Sequence, residues 1–436
     1  MVPHLTTSLT GPLQELERVI LEQRPEIERW LRTQWLEHEV PFYSSVDLRN
    51  AGFKLAPVDL NLFPGGFNNL NPEFLPLCVH AAMSAVQKVC PDSQRFMLVP
   101  ENHTRNLNYL QNVATLKRIL ENAGLTVRLG SLIPELEGPM EVETSKGEKL
   151  LLEPIQRKGN RVVLDGGFDP CAVLLNNDLS AGIPAILSGI EQPVVPALVA
   201  GWSTRRKSHH FHAYDRIAEG FAALVGIDPW VINPVFSQCG KVNFAEKEGE
   251  DCLAQNVEFV LGEIREKYAH YGVTDQPFVI VKADAGTYGM GIMTVKDPSE
   301  VRNLNRKTRN KMSTIKEGQP VHEVIIQEGV YTFENVAGGV AEPVVYMMDQ
   351  FVVGGFYRVH TERGIDENLN SPGAQYVPLA FETDCHSPDC GGKPGDPPNR
   401  FYTYGVIARL AMLAAAVEVE ELVAQSAALE VKAANA

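Results

Sequence analysis

The segment Phe278 to Val295, FVIVKADAGTYGMGIMTV, constrains this chain more than any other. Phe278 to Val281 and Ile292 to Val295 are short β-branched runs. Gly286, Gly289 and Gly291 lie between them, where backbone must turn tightly or approach a ligand. The expected product is a β-hairpin. In a Walker A loop or a dinucleotide fingerprint, glycines lead from a strand into a helix whose N-terminus holds phosphate. No helical pattern follows here, GTYGMG lacks the GxGxxG spacing, and no GK[ST] closes the loop. Two readings remain: a plain turn, or a flexible lid whose N–H groups fold over polyphosphate, with Lys282 at the end of the first strand to meet its charge.

The acidic balance narrows the partners. Lys plus Arg number 39 against 54 Asp plus Glu, a net charge of -15, which argues against a nucleic-acid partner because that needs a broad basic surface. No apolar run reaches membrane-spanning length, and MVPHLTTSLTGPLQE lacks the basic and apolar regions of a signal peptide, so the expected location is the cytoplasm with no membrane partner. The seven cysteines are odd in number and mostly scattered, which suits reduced thiols. Cys385 and Cys390, with His386, fall in a Gly- and Pro-rich stretch; a zinc site needs about four ligands and no second pair accompanies them, so a mobile loop over a site is expected.

With 436 residues, 44% of them hydrophobic, the chain can bury a large core in two or three domains. Residues 12 to 37 show helical periodicity interrupted by Pro25 and read as two amphipathic helices. Between about 75 and 200, helical stretches such as Leu107 to Ala123 alternate with RFMLVP, LTVRLG, AVLLNND and QPVVPALV, which argues an open α/β layer. Beyond about 226 come a helix, Cys252 to Tyr271, then hairpins, including PVVYMMDQFVVGGFYRV turning at Asp349 and Gln350, and a final helix, Tyr404 to Ala428. The expected division is therefore 1–225, an N-terminal helical and α/β substrate half, and 226–436, a nucleotide-binding half.

Polar loops mark the first half. DLNLFPGGFNNLNPE, residues 59 to 73, brings Asp59, Asn61, Asn68 and Asn69 around a Pro-Gly-Gly turn, just after Arg49 and Lys54, which could answer a carboxylate; an Asx-rich structural turn reads as well. VPENHTRNLNY and LLNNDLSAGIP place polar groups, among them Asn176, at the carboxyl ends of buried strands, where open α/β sheets bind ligands. GWSTRRKSHHFHAYDR is the densest cationic segment: Arg205, Arg206 and Lys207 could clamp a carboxylate or acyl phosphate, or simply begin a solvated helix.

The order of an Asn-Pro segment with Lys241, a strand ending in Lys282, the glycine hairpin and the strand VIIQEGV resembles the ATP-grasp ligases. Over nearly its whole length the chain is similar to the bacterial ATP-grasp glutamate-cysteine ligases. That resemblance implies an α/β fold whose N-terminal substrate domain precedes an ATP-grasp domain. It implies ATP phosphates at Lys241 and Lys282 under Gly286, Gly289 and Gly291, with adenine and ribose at Gln327, Glu328 and Val330. It implies Arg358 at the γ-phosphate, and Mg²⁺ held by Glu367, Asn368 and Asn370. Because the family's Glu-x-Asn spacing is missing, Asp366 or Glu342 could serve instead. Arg358, Arg206 and Lys282 become the catalytic candidates, and Arg49, Lys54, Asp59, Asn61, Asn68, Asn69, Asn176, Arg205 and Arg206 the amino-acid contacts. The implied reaction phosphorylates the glutamate γ-carboxylate, and the cysteine amine then attacks the acyl phosphate. A homo-oligomer is open, as are two other activities, a glutathione synthetase or dipeptide ligase and a non-catalytic nucleotide sensor.

Overall fold

A computed structural model describes residues 12–91, 94–286, 291–314, 320–379 and 401–434. Three sheets meet around one centre. The first runs in the order Gln375–Pro378, Phe351–His360, Gly339–Met348, Tyr43–Asn50 and Leu55–Asn61, with the short Asn335–Val336 beside Gly339–Met348, and every pairing is antiparallel. The second runs Val194–Val195, Ala172–Asn176, Arg95–Pro100, Thr126–Ser131, Lys149–Pro154 and Met140–Glu143, parallel except at its last pair. This is the open α/β layer expected from the alternation between 75 and 200, with helix Leu75–Val89 leading into its first strand and helix Leu107–Asn122 in the crossover from Arg95–Pro100 to Thr126–Ser131. The third is antiparallel in the order Phe236–Cys239, Val324–Glu328, Val279–Ala283 and Ile292–Val295. Val279–Ala283 and Ile292–Val295 are the two arms of the glycine hairpin, and the described residues between them hold no helix.

Local rules explain the element ends. Pro25 lies in the first turn of Arg24–Glu37, where its missing N–H is harmless, so the N-terminal helical stretch divides as expected into Pro12–Glu22 and Arg24–Glu37. Helix Glu250–Tyr271 ends at Gly272, whose φ of 65° closes it in the left-handed region. Asp349 turns the hairpin between Gly339–Met348 and Phe351–His360 with a φ of 51°, a conformation Asp tolerates better than most residues. The final helix is longer than its periodicity suggests, Phe401–Ala434. Val406, Ile407, Leu410, Ala411 and Leu413 are all buried, because this helix packs on both the first sheet and helix Lys207–Val225, so it is apolar all round over that length.

The expected boundary at residue 225 coincides with the end of helix Lys207–Val225. It does not separate two sheets. Tyr43–Asn50 pairs with Gly339–Met348, so the first sheet takes strands from both halves of the chain. The Cys385 to Cys390 loop lies outside the described residues, as does Gly289.

Candidate active site

Side chains alternate between the faces of a strand, and the first sheet uses that alternation to separate a core from a polar cavity. On Tyr43–Asn50, Val46 and Leu48 enter the core while Ser45, Asp47 and Arg49 line the cavity. Likewise Tyr357 and Val359 enter the core, and Phe356 and Arg358 line the cavity. The third sheet closes the opposite side with Ile280, Lys282 and Gln327. The carboxyl ends of the second sheet's strands add Glu101, Asn176 and Asp178, and helix Leu107–Asn122, capped by Asn106, adds Asn108, Tyr109 and Asn112. The enclosed volume is about 460 Å³, the size of a small-ligand site.

Register sets the cavity's electrostatics. Glu342 lies directly opposite Arg358, and Asp47 opposite Asp59. Arg358 Nη1 donates to Asp47 Oδ2 at 2.8 Å and Glu342 Oε1 at 2.6 Å, and Arg49 Nε donates to Glu342 Oε2 at 2.8 Å. Opposed carboxylates repel, and the cations disperse that repulsion. Burial drives the Asp59 pKa up, but Lys207, at 2.7 and 2.9 Å, together with Lys282 outweighs it and holds Asp59 at about 2. At Asp47 burial wins over Arg358 and the pKa is raised, whereas at Glu342 the two arginines win over burial and it is lowered. Burial lowers Lys282 to about 8 even with Asp59 nearby, and its Nζ donates to the Val58 carbonyl at 2.7 Å. Three buried donors on cavity residues, Trp202 Nε1, Gln327 Nε2 and Arg358 Nε, have no hydrogen-bond partner. A buried donor left without an acceptor costs about 1–3 kcal/mol, so a ligand that supplied acceptors here would recover that cost.

The cavity gathers Arg49, Asp59, Asn61, Asn68, Asn69, Asn176, Lys282, Gln327, Glu328, Val330, Arg358, Asn368 and Asn370. Other expected site residues sit elsewhere. Lys54 is 0% exposed, donates to Glu328 Oε2 at 2.7 Å and lies 4.3 Å from the Trp230 ring, so it anchors the Gln327 strand rather than a substrate. Arg205 is also buried, forked onto Glu418 of the final helix at 2.8 and 2.9 Å. Arg206 is outside the cavity, on Glu323 at 2.8 Å. Lys241 is exposed beyond Phe236–Cys239 and does not line the cavity. Gly286 and Gly291 take φ values of 93° and 61° at the two ends of the hairpin turn, which only glycine adopts readily.

Two expected ligands change role. The Asn176 amide is saturated: Nδ2 donates to Tyr43 Oη at 3.1 Å and the Pro64 carbonyl at 2.9 Å, and Oδ1 accepts from Tyr109 Oη and Asn112 Nδ2. It therefore props the loop at residues 64 to 69, helped by Asn112 Oδ1, which accepts the Gly66 and Phe67 N–H groups at 2.9 Å. The Glu367 carboxylate meets Arg363 at 3.1 Å and the Gly364 N–H at 2.7 Å, and it borders a neighbouring groove of about 800 Å³ instead of the cavity. Asp366 is tied to Lys296 at 2.6 Å. Among the described residues no group of three or more His, Cys, Asp or Glu side chains is placed to hold a metal ion. Sequence reading missed Asp47 and Tyr109; the signal for Asp47 was the period-2 placement of Asp47 and Arg49 in an otherwise buried strand.

Comparison with known proteins bears on what this cavity serves. The sequence profile of the family described as glutamate-cysteine ligase matches residues 17–419. A crystal structure of a protein from Methylobacillus flagellatus KT, provisionally named a gamma-glutamylcysteine synthetase, shows 65% identity, covers 97% of this chain and 99% of its own, and superposes with a TM-score of 0.88. A glutathione synthetase-like effector from Globodera pallida (10% identity, 84% and 80% coverage, TM-score 0.40) overlaps too little to argue from. The same holds for D-alanyl-alanine synthetase A from Vibrio cholerae O1 biovar eltor (11%, 67% and 75%, 0.33). Curated proteins give no match. The chain belongs to the glutamate-cysteine ligase family.

Proposed function

We propose that the cavity between the first and third sheets is where this ATP-dependent ligase joins L-glutamate to L-cysteine, with ATP against the Lys282 and Gln327 strands and the amino acids toward the amide-rich second sheet. The observation that carries the placement is the set of unpartnered buried donors, Arg358 Nε, Gln327 Nε2 and Trp202 Nε1, on the walls of one cavity. Gln327 and Val330 take the adenine side. Lys282, whose ammonium is costly to bury without an anion, meets the phosphates, and the hairpin from Gly286 to Gly291 covers them and excludes water from the acyl phosphate. Arg358, fixed from below by Asp47 and Glu342, presents its guanidinium to the transferring phosphoryl group. Charge neutralisation and positioning are what such a transfer needs.

For the amino acids, Arg49 and the loop carrying Asn68 and Asn69 offer a carboxylate partner and amide acceptors, and Asp59 an anion for an ammonium group. The division near residue 225 is thus functional: amide-rich contacts come from the first half and nucleotide contacts from the second. Mg²⁺ binds hard oxygens, through one or two carboxylates plus substrate phosphates. Asp47, Glu342, Asn368 and Asn370 supply such oxygens in one cavity, so Glu342 takes the role first given to Glu367. When bound, the ion neutralises phosphate charge. No helix among the described residues is long and apolar enough to cross a membrane; with the acidic charge this supports a cytoplasmic enzyme without a nucleic-acid partner.

Initial rates of ADP release with glutamate and cysteine test the site. Gln327→Leu removes a buried donor that has no protein partner, so it should raise the KM for ATP about tenfold, the worth of one hydrogen bond, while leaving the amino-acid KM values unchanged and the melting temperature no lower. An unchanged ATP KM places the nucleotide elsewhere.

A further inference from the structure

Cys239 ends the strand Phe236–Cys239, and Cys252 sits in the first turn of helix Glu250–Tyr271. Their sulfurs are 3.0 Å apart. Cys239 is buried and Cys252 exposed, so the pair has one sulfur that a small molecule can reach and one that it cannot. Asn256, one turn beyond Cys252, holds its amide Nδ2 at 3.5 Å from the Cys252 sulfur and at 2.9 Å from the Cys252 carbonyl. Ser237 Oγ donates to Asn256 Oδ1 at 2.6 Å, and this hydroxyl fixes which side of the amide faces the sulfur. Ser237 and Cys239 share a face of their strand by the two-residue alternation. The strand, the helix and this amide thus converge on two thiols.

We propose that Cys239 and Cys252 form a redox-active dithiol that is oxidised by disulfides of the cysteine class. The proposal rests on the ligase reading only for the identity of the couple: cysteine is a substrate and the product is itself a thiol, so their disulfides are the oxidants closest to hand. The exposed Cys252 thiolate attacks one sulfur of the small disulfide, forming a mixed disulfide and expelling one thiolate. Cys239, once deprotonated, then attacks the Cys252 sulfur and expels the second, so two protein thiols and one small disulfide become one protein disulfide and two small thiols. Burial first, and the neighbouring Cys252 second, push the Cys239 thiol up to about 11, which makes Cys252 the entry point and Cys239 the resolving thiol.

Closing the bond requires little movement, from 3.0 Å to about 2.05 Å. The intervening residues 240–251 are already folded back on themselves. Asn243 and Glu248 exchange backbone hydrogen bonds at 3.0 Å. Gly249, with a φ of 79°, lies so close that a Cβ there would come within 2.1 Å of the Lys241 carbonyl.

The test incubates the reduced full-length protein with cystine, alkylates the remaining thiols and maps the peptides. The expected result is a peptide pair joining Cys239 to Cys252, two fewer titratable thiols, and full recovery with dithiothreitol. Cys239→Ser should stop at half-cystine attached to Cys252. Complete alkylation of both residues in the cystine-treated parent overturns the proposal, as does half-cystine found only on other cysteines of Cys239→Ser. The parent's map needs no variant to fold, and it is read from sulfur alone, so its outcome is independent of whether the ligase assay succeeds.

Discussion

Replacing Lys282 by Met should make the ligand-free protein more stable at neutral pH while removing its hold on ATP. Lys282 is buried, and the fall of its pKa from 10.5 to about 8 comes first from burial, with Asp59 acting in opposition. At about 1.4 kcal/mol per pH unit, keeping that charge buried at pH 7 costs about 3 kcal/mol. Methionine removes the cost but leaves the Val58 carbonyl, now bonded at 2.7 Å, without its donor, a loss of about 1 kcal/mol. Asp59 keeps Lys207. The net expectation is a gain of about 2 kcal/mol at pH 7. The sign with pH follows from the lowered folded pKa: the native lysine releases its proton before the unfolded one, so the parent gains stability between about pH 8 and 10.5. By pH 9.5 the remaining cost is about 1 kcal/mol and the variant's advantage should vanish. Urea unfolding at pH 7 and 9.5, with calorimetric titration of ATP at pH 7, measures both halves. A Lys282→Met protein that is less stable at pH 7, or whose advantage does not change with pH, refutes the buried-charge reasoning; one that binds ATP as tightly as the parent refutes the phosphate role.

Lys54→Ala should destabilise the protein by about 3–5 kcal/mol, because it strands Glu328 without its partner; a normal urea midpoint together with a raised amino-acid KM would return Lys54 to the substrate site. Glu342→Gln should raise the Mg²⁺ concentration for half-maximal activity about tenfold, with Glu367→Gln unchanged, and the reverse ranking would put the metal in the neighbouring groove. Burial raises Glu334 from 4.5 to about 8 against the donors Tyr404 and Asn50. Its folded form keeps its proton longer, so the stability it contributes is full below about pH 4.5 and is lost as pH rises through about 8. Glu334→Gln should therefore stabilise the protein at pH 9 and change little at pH 4, as read by thermal melting at each pH; equal shifts at both would count against a protonated Glu334.

Local order was legible because it depends on neighbours in the chain. The glycine hairpin, the division of the N-terminal helices at Pro25, the Asp349 turn and the Gln327 strand all follow from periodicity and backbone preference over a few residues. The amides at two strand ends were legible for the same reason, and parallel pairing of Arg95–Pro100 with Ala172–Asn176 brings them to one edge. What each charged side chain does was decided only by the tertiary structure. Arg49, Lys54, Arg205 and Arg358 read alike in sequence, as cations available to an anion. Their counter-ions lie far along the chain, Glu342 for Arg49, Glu328 for Lys54, Glu418 for Arg205 and Asp47 for Arg358, which also shares Glu342 with Arg49 and leaves its own Nε unpaired. A buried cation is costly without a carboxylate beside it. Nothing in the local pattern says which one, so sheet register and helix packing separate the lysine that holds a strand from the arginine that faces a ligand.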